Sequence, residues 1–588
     1  MTAGADRAAR RGRSQRYRPA FVLLLVGLLA AVFLVRLADV QVVHAESLRD
    51  ESKDRRSITS VLPGPRGDVV DADGTVLATS VTRWEVTAVP WIAAKAGRVD
   101  VHATAIATAL GLDPGAVRTA LTADPKADYA LIAKQVTADD LERVKRLDLG
   151  WLYYRAVSKR TYPAGAVAGN LIGFVGADQQ PQAGVEYGWN RCLAGQDGEA
   201  VSESALDRTP IPGTEAVVKP ARPGGTVRLT IDRDLQYYAQ QVLAARARET
   251  GARWGAVVVS EVRTGSLLAV ADWPTVNPNA VATTADADPG ALGSRAFTAP
   301  YEPGSTMKAI TASMLLDAGL ATPRTRVTAP YRLRTADGAD VNDSEQHGDE
   351  RLTLTGVLVQ SSNTGLSQLG VRLDDAKRYA YLKAFGFGAP TEVGFGAEAA
   401  GDLGAGAPDW DAQSRLATMF GQGLTTSAVQ MASAYQALAN RGVRLPVRLV
   451  ASCTDADGVR HPVTTGGARR VISAKAATST VRMLENVATK GWLRDFVRIP
   501  GYRIATKTGT AQESDGRGGY AEGYLVSLAG IAPAESPRYV VYVVLDAPSR
   551  MNTSQATAPV FQKVMSRALQ AGGVVPSGRS SPDLPAGW

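Results

Sequence analysis

The chain of 588 residues is poor in two side chains on which much enzyme chemistry depends, with 2 cysteines and 4 histidines. Cys192 and Cys453 are too few for a disulfide framework and read as small buried residues, a single pairing being left open for an exported chain. His44, His102, His347 and His461 fall in no H-E-x-x-H, and C-x-x-C is missing as well, which argues against a zinc hydrolase. One cluster, Asp343, Glu345, His347 and Asp349 in "VNDSEQHGDE", could hold a cation, but its composition favours a solvated loop. No metal and no cofactor are expected. No repeat of solenoid period occurs.

What is present suffices for a folded protein of about three or four domains, with 45% of residues hydrophobic. The net charge of +8 is most concentrated at the start, where Arg7, Arg10, Arg11, Arg13, Arg16 and Arg18 face Asp6 alone. Such an arm can bind nucleic acid, but the uncharged run "PAFVLLLVGLLAAVFLV" that follows argues otherwise. A helix from Ala20 to about Val40 supplies the roughly 20 residues a bilayer needs. A cleaved signal peptide is the alternative, with "VHA" at 43 to 45 as a faint cleavage site; the apolar run exceeds the usual h-region of about 7 to 15 residues. The expectation is a single-pass anchor in the cell membrane, with the arginine arm in the cytoplasm and the rest exported.

Beyond the anchor, "PGPRGDVVDADGTVLATS" carries a hairpin at Asp73-Gly74, and helical stretches near 102 to 123 and 137 to 146 complete a mixed region. The Pro- and Gly-rich stretch from Thr209 to Gly225 marks a domain edge. From Thr226 the texture changes to a strand, an amphipathic helix begun by Asp234 and a hairpin pair across "RTG". Helices are expected at roughly 305 to 318, 354 to 370, 374 to 385 and 425 to 440, then strands in "YLVSLAGIAP" and "RYVVYVVLDAP" and a last helix at 557 to 571. This is an α+β pattern with an antiparallel sheet. The expected divisions are a basic tail (1–19), an anchor (20–43), a pedestal (44–225), a catalytic domain (226–572) and a disordered tail (573–588).

Three short motifs carry the chemistry. "YEPGSTMK" sets Lys308 one helical turn after Ser305, so the two share a face, and Pro303-Gly304 puts Ser305 at a helix start. A serine hydroxyl needs a base to become nucleophilic, and a desolvated lysine can be that base. "SSN" gives Ser361 and Asn363, and "KTGT" gives Lys507, Thr508, Gly509 and Thr510. S-x-x-K, S-x-N and K-T-G each occur once, in that order; singly they are weak, together highly specific. Ser361 suits a proton relay, Asn363 can orient Lys308 and hold a substrate backbone, and Lys507 with two hydroxyls suits a substrate carboxylate. Gly509 allows a close approach to a ligand, and the N–H groups of Ser305 and Thr510 could form an oxyanion hole.

With these residues the sequence resembles the class B penicillin-binding proteins. Further similarity lies in "RGDVVDADGTVLA", "YPAGAVAGNLIGFVG", "AGVEYGWNRCLAGQDG", "LTIDRDLQ" and "FGQGLTTSAVQMASAYQALANRG"; Ser362 stands where a related signature has Asp. The resemblance implies a penicillin-binding, serine-transpeptidase fold, with a five-stranded antiparallel sheet covered by helices, on an elongated mixed pedestal behind one transmembrane helix. It implies a peptidoglycan D,D-transpeptidase: Ser305 attacks the D-Ala-D-Ala bond of a stem peptide, D-alanine leaves, and a neighbouring stem's amine resolves the acyl-enzyme. It implies acylation by β-lactam antibiotics, a partner glycosyltransferase with other cell-wall machinery, and no nucleic acid. Competing readings are a D,D-carboxypeptidase, β-lactamase or β-lactam sensor of the same superfamily, or a non-catalytic scaffold. The missing E-x-x-L-N pattern weighs against a class A β-lactamase, and intact Ser305 and Lys308 weigh against a scaffold.

Overall fold

The computed structural model describes residues 6–588 except 177, 205–210, 212–213, 405–409, 464–465 and 515–518. Residues 1–5 of the expected basic tail and parts of the Thr209–Gly225 stretch lie outside the described residues. The chain divides into two compact units, Met1–Gly64 with Gln196–Arg222, and Pro65–Gly195 with Pro223–Trp588.

In the first unit one helix, Asp6–Ala38, continues through a π-helical turn, Asp39–Val43. Its stretch Pro19–Val43, 25 residues, is long and apolar enough to cross a bilayer. Phe21, Leu24, Leu28, Val32 and Val35 are all exposed, as lipid-facing residues would be. A three-stranded antiparallel sheet completes the unit, with Gly198–Glu203 between Ser57–Leu62 and Ala216–Lys219.

The second unit is built on a five-stranded sheet of β1 (Trp254–Glu261), β2 (Leu267–Trp273), β3 (Ala505–Ser514), β4 (Tyr520–Ala532) and β5 (Tyr539–Asp546). Its order is β2-β1-β5-β4-β3, antiparallel throughout. The helices that concern the site and its support are α1 (Arg233–Thr250), α2 (Met307–Asp317), α3 (Leu354–Gln360), α4 (Asn363–Gly370), α5 (Ala428–Ala439), α6 (Ala474–Lys490) and α7 (Ala558–Ala571). Side chains alternate across a strand, so β5 sends Tyr539, Val541, Val543 and Leu545 into a core with Leu243 of α1 and Val564 of α7. Val540, Tyr542 and Val544 enter the opposite core, with Ile310 of α2, Met431 of α5 and Leu484 of α6. Every residue of β5 is buried, which is why "YVVYVVLD" reads as an unbroken apolar run. Each such valine or leucine contributes about 1.5–3 kcal/mol by leaving water.

Several sequence expectations are corrected. The chain passes from the first unit to the second at Arg222/Pro223, within the expected stretch, and strand Thr226–Leu229 of the second unit pairs in parallel with Val69–Val70 and antiparallel with Val450–Thr454. Cys192 and Cys453 are not free thiols but form a disulfide between the short helix Asn190–Leu193 and strand Val450–Thr454. Helix α1 starts at Arg233 and not Asp234, since the Asp232 carboxylate accepts the N–H groups of Asp234 and Leu235, both at 2.9 Å. The stretch 102 to 123 is two helices, Val99–Leu110 and Pro114–Thr122, because Gly111 takes a left-handed conformation and Asp113 caps the second.

The tail is not disordered at its end. Asn486, buried on α6, donates to Pro582 O at 3.0 Å and accepts from Leu584 N at 3.0 Å. Thr353 N donates to Ala586 O at 2.9 Å and Thr353 Oγ1 to Pro585 O at 2.6 Å. The Trp588 ring lies 5.1 Å from the Arg326 guanidinium and 4.9 Å from that of Arg351. Low hydrophobicity predicted disorder, but a buried amide must find partners, and this tail supplies them.

Candidate active site

Ser305 sits in a single 3-10 turn, Gly304–Thr306, that leads into α2. It is half-buried while Gly304, Thr306, Met307 and Lys308 are buried, so Ser305 is the partly accessible residue of an otherwise enclosed turn. Gly304 has φ +55°, and a Cβ there would stand 2.7 Å from Thr510 O of β3. Glycine therefore allows the serine turn to lie against the strand edge. From beneath, Thr306 Oγ1 donates to Pro303 O at 2.7 Å and Tyr435 OH donates to Thr306 O at 2.8 Å, fixing the turn's far side.

Lys308 is fully buried, and among the described residues no carboxylate lies within ion-pair distance of its amine. Its Nζ donates to Ser361 O and, at 3.2 Å, to Ser361 Oγ. Burial pushes its pKa down to about 7, against the pull of the Asp343 carboxylate. Lys507, on β3, also has no exposure; its Nζ lies 2.9 Å from Ser361 Oγ and 3.1 Å from Thr508 O. Its pKa is well below the ordinary lysine value because of burial and then because of the neighbouring Lys308.

Ser361 is thus the meeting point, with one hydroxyl reached by two amines from distant segments. It reaches that place through a backbone reversal. The expected helix 354 to 370 is two helices, α3 and α4, separated by Ser361 at φ 59°, ψ 34°. Ser362 N-caps α4, its Oγ accepting from Gly365 N at 2.9 Å. Asn363 donates through Nδ2 to Asn342 O at 2.8 Å. The orientation of Lys308 expected from Asn363 comes instead from Ser361.

On β3, Thr508 is half-buried, Gly509 buried and Thr510 exposed. A Cβ on Gly509 would meet Ser527 Oγ at 2.3 Å and Pro303 O at 2.9 Å. The expected room for a ligand is therefore taken on that face by the serine turn's own support. Ser554 braces the strand, donating to Gly509 O at 2.8 Å and lying 3.1 Å from Thr510 Oγ1. All three motifs thus converge: the Ser305 turn abuts β3, and the α3–α4 junction bonds to both lysines.

Sequence reasoning named Asp343 only within a candidate cation cluster and gave it no part in the acyl-transfer site. Its carboxylate is buried, 6% exposed, and receives the N–H of Asn363, Thr364 N at 3.0 Å and Ser362 Oγ at 2.7 Å. The solvated loop expected at 341 to 350 is wrong for this residue, since it closes the S-x-N junction. No local pattern distinguishes it from Glu345 or Asp349 nearby.

This chain belongs to the penicillin-binding protein transpeptidase family, whose family model, described as the penicillin binding protein transpeptidase domain, matches residues 255–566. The penicillin-binding protein dimerisation domain matches residues 61–229. Penicillin-binding protein PbpB of Mycobacterium tuberculosis is 31% identical over 97% of this chain and 87% of its own length. Peptidoglycan D,D-transpeptidase FtsI of Escherichia coli is 31% identical over 95% of this chain and 92% of its own. The crystal structure of penicillin binding protein 3 from Mycobacterium tuberculosis, complexed with aztreonam, has 28% identity and a TM-score of 0.68, covering 88% of this chain and 98% of that one.

Proposed function

We propose that the protein is a peptidoglycan D,D-transpeptidase in which Ser305 is the nucleophile. The observation that carries this is the bridging of Lys308 and Lys507 by Ser361 Oγ, at 3.2 and 2.9 Å, beside the Ser305 turn. The name of the Escherichia coli relative and the aztreonam complex of the mycobacterial one support the same substrate and inhibitor classes.

In this reading neutral Lys308 donates two hydrogens to Ser361 and keeps a lone pair for the Ser305 proton. Ser305 Oγ attacks the carbonyl of the penultimate D-alanine, and the N–H groups of Ser305 and Thr510 hold the oxyanion. Collapse breaks the C–N bond, and the proton held by Lys308 passes through the Ser361 hydroxyl to the departing D-alanine amine. The amine of a neighbouring stem peptide then attacks the ester, forming an amide and restoring the Ser305 hydroxyl. A β-lactam acylates the same oxygen by opening its ring. Lys507, Thr508 and Thr510 bind the terminal carboxylate, while Gly509 keeps the strand against the serine turn. The carboxylate offsets the burial of Lys507 and favours its charged form, and a charged Lys507 disfavours charge on the neighbouring Lys308, which leaves Lys308 free to act as base. Asn363, tied to Asn342, offers its amide oxygen to a substrate N–H.

The apolar helix anchors the chain in the cell membrane, with its arginine-rich end in the cytoplasm and Ser305 outside, as the positive-inside rule supports. The enzyme acts there beside a glycosyltransferase that supplies strands to crosslink. Incubating membranes with a fluorescent penicillin tests the reading. The wild type should retain label and Ser305→Ala should have none; label on Ser305→Ala, or rapid loss of wild-type label with hydrolysis of the drug, would refute it.

A further inference from the structure

We propose that Asp343 and His347 form a charge-paired latch that positions the Ser361–Asn363 junction and, through Asp343, sets the pH at which Lys308 becomes an effective base. This rests on the acyl-transfer reading above, and neither residue touches the substrate in it; both are positioning residues.

The junction needs such a device. Ser361 holds a left-handed conformation that a side chain rarely adopts without enforcement by its surroundings. Asp343 provides that enforcement. Its Oδ1 accepts the N–H groups of Asn363 and, at 3.0 Å, Thr364, the first two residues of α4. A carboxylate there also complements the positive end of the helix. Its Oδ2 accepts from Ser362 Oγ at 2.7 Å and Thr364 Oγ1 at 3.3 Å, and faces His347 Nε2 at 3.0 Å. One buried carboxylate thus ties down the three residues that follow Ser361.

His347 is held so that its protonation matters. Its Nδ1 lies 2.6 Å from Gly348 O, which can only accept, so Nδ1 carries a hydrogen. A neutral ring would then turn the Nε2 lone pair toward the Asp343 carboxylate. The imidazolium satisfies both neighbours. Among the described residues the titratable groups acting on the ring are Asp343 and Glu350, with the Tyr331 ring meeting it edge-on at 6.0 Å, and the Asp343 carboxylate in turn favours the charged form of Lys308. Burial works against the charged ring, but Gly348 O, Asp343 and Glu350 outweigh it and raise its pKa above 6.5.

Because Asp343 favours the charged form of Lys308 and His347 offsets Asp343, the two substitutions move the base in opposite directions. Acylation of the full-length protein by a fluorescent penicillin is followed as a rate against pH for wild type, Asp343→Asn and His347→Gln, with thermal unfolding of each. Asp343→Asn should acylate about 10-fold or more slowly at every pH, as expected for loss of a charged hydrogen-bond network, with the midpoint of its profile moved to lower pH. His347→Gln, altered at a partly exposed side chain, should fold normally and move the midpoint to higher pH. Unshifted midpoints in both variants, or shifts in the same direction, would overturn the proposal even where Asp343→Asn is slow. If Asp343→Asn fails to fold, the direction of the His347→Gln shift decides. Wild-type protein that takes no label on Ser305 would overturn both this and the function it rests on.

Discussion

A lysine buried with no carboxylate in ion-pair reach is a cost that only a function explains, and among the described residues Lys308 has none. Its folded pKa of about 7 lies below the ordinary 10.5, so the unfolded chain binds that proton more tightly. By linkage the penalty on the fold is complete below pH 7 and fades as pH rises toward 10.5. Lys308→Met should therefore abolish acylation while raising the melting temperature at neutral pH by about 1 °C, the shift that ~1 kcal/mol gives a unit of roughly 500 residues at about 2.1 cal/mol/K per residue. Calorimetry beside penicillin labelling checks this; a variant that melts lower and still acylates would refute it. Lys507→Ala removes a charged partner for the substrate carboxylate and should weaken stem-peptide binding about 10- to 100-fold, the equivalent of ~1.5–3 kcal/mol. Titration with a D-Ala-D-Ala peptide measures it.

At the level of elements, the sheet was legible because a strand buried on both faces is almost wholly apolar, as β5 is up to its terminal Asp546. The break at Ser361 was not. Leu354, Val357, Leu358, Leu366 and Leu369 keep an apolar pattern across it, and Asp343, which ties down the residues that follow Ser361, lies on another segment. The motif residues were legible because their spacing along the chain is a matter of sequence, whereas their convergence depends on Gly304, Gly509 and Ser554. Gly304→Ala, which removes no functional group, should slow acylation at least 10-fold by driving a Cβ into Thr510 O and away from the left-handed conformation. The C-terminal strap was hidden for a similar reason, since its partners Asn486 and Thr353 lie far away in sequence. Deleting residues 582–588 should lower the melting temperature by about 5 °C, several hydrogen bonds being lost at ~1 kcal/mol each.

On the scale of the whole molecule, the disulfide Cys192–Cys453 spans 261 positions and ties a pedestal helix to strand Val450–Thr454. Its loss through Cys192→Ser with Cys453→Ser should cost about 2–5 kcal/mol, read as a lower denaturant midpoint. Acylation should persist wherever the fold does, because neither cysteine contacts the lysine pair. The acylation chemistry rests on one premise, that burial makes the Lys308 amine neutral and so able to take the Ser305 proton. The pH dependence of acylation tests it most directly, measured as the rate at which penicillin labels the wild-type protein from about pH 5.5 to about pH 9. The rate should rise with pH, with its midpoint near pH 7, where Lys308 loses its charge. A rate that stays flat across that range, or falls as pH rises, would contradict a lysine base.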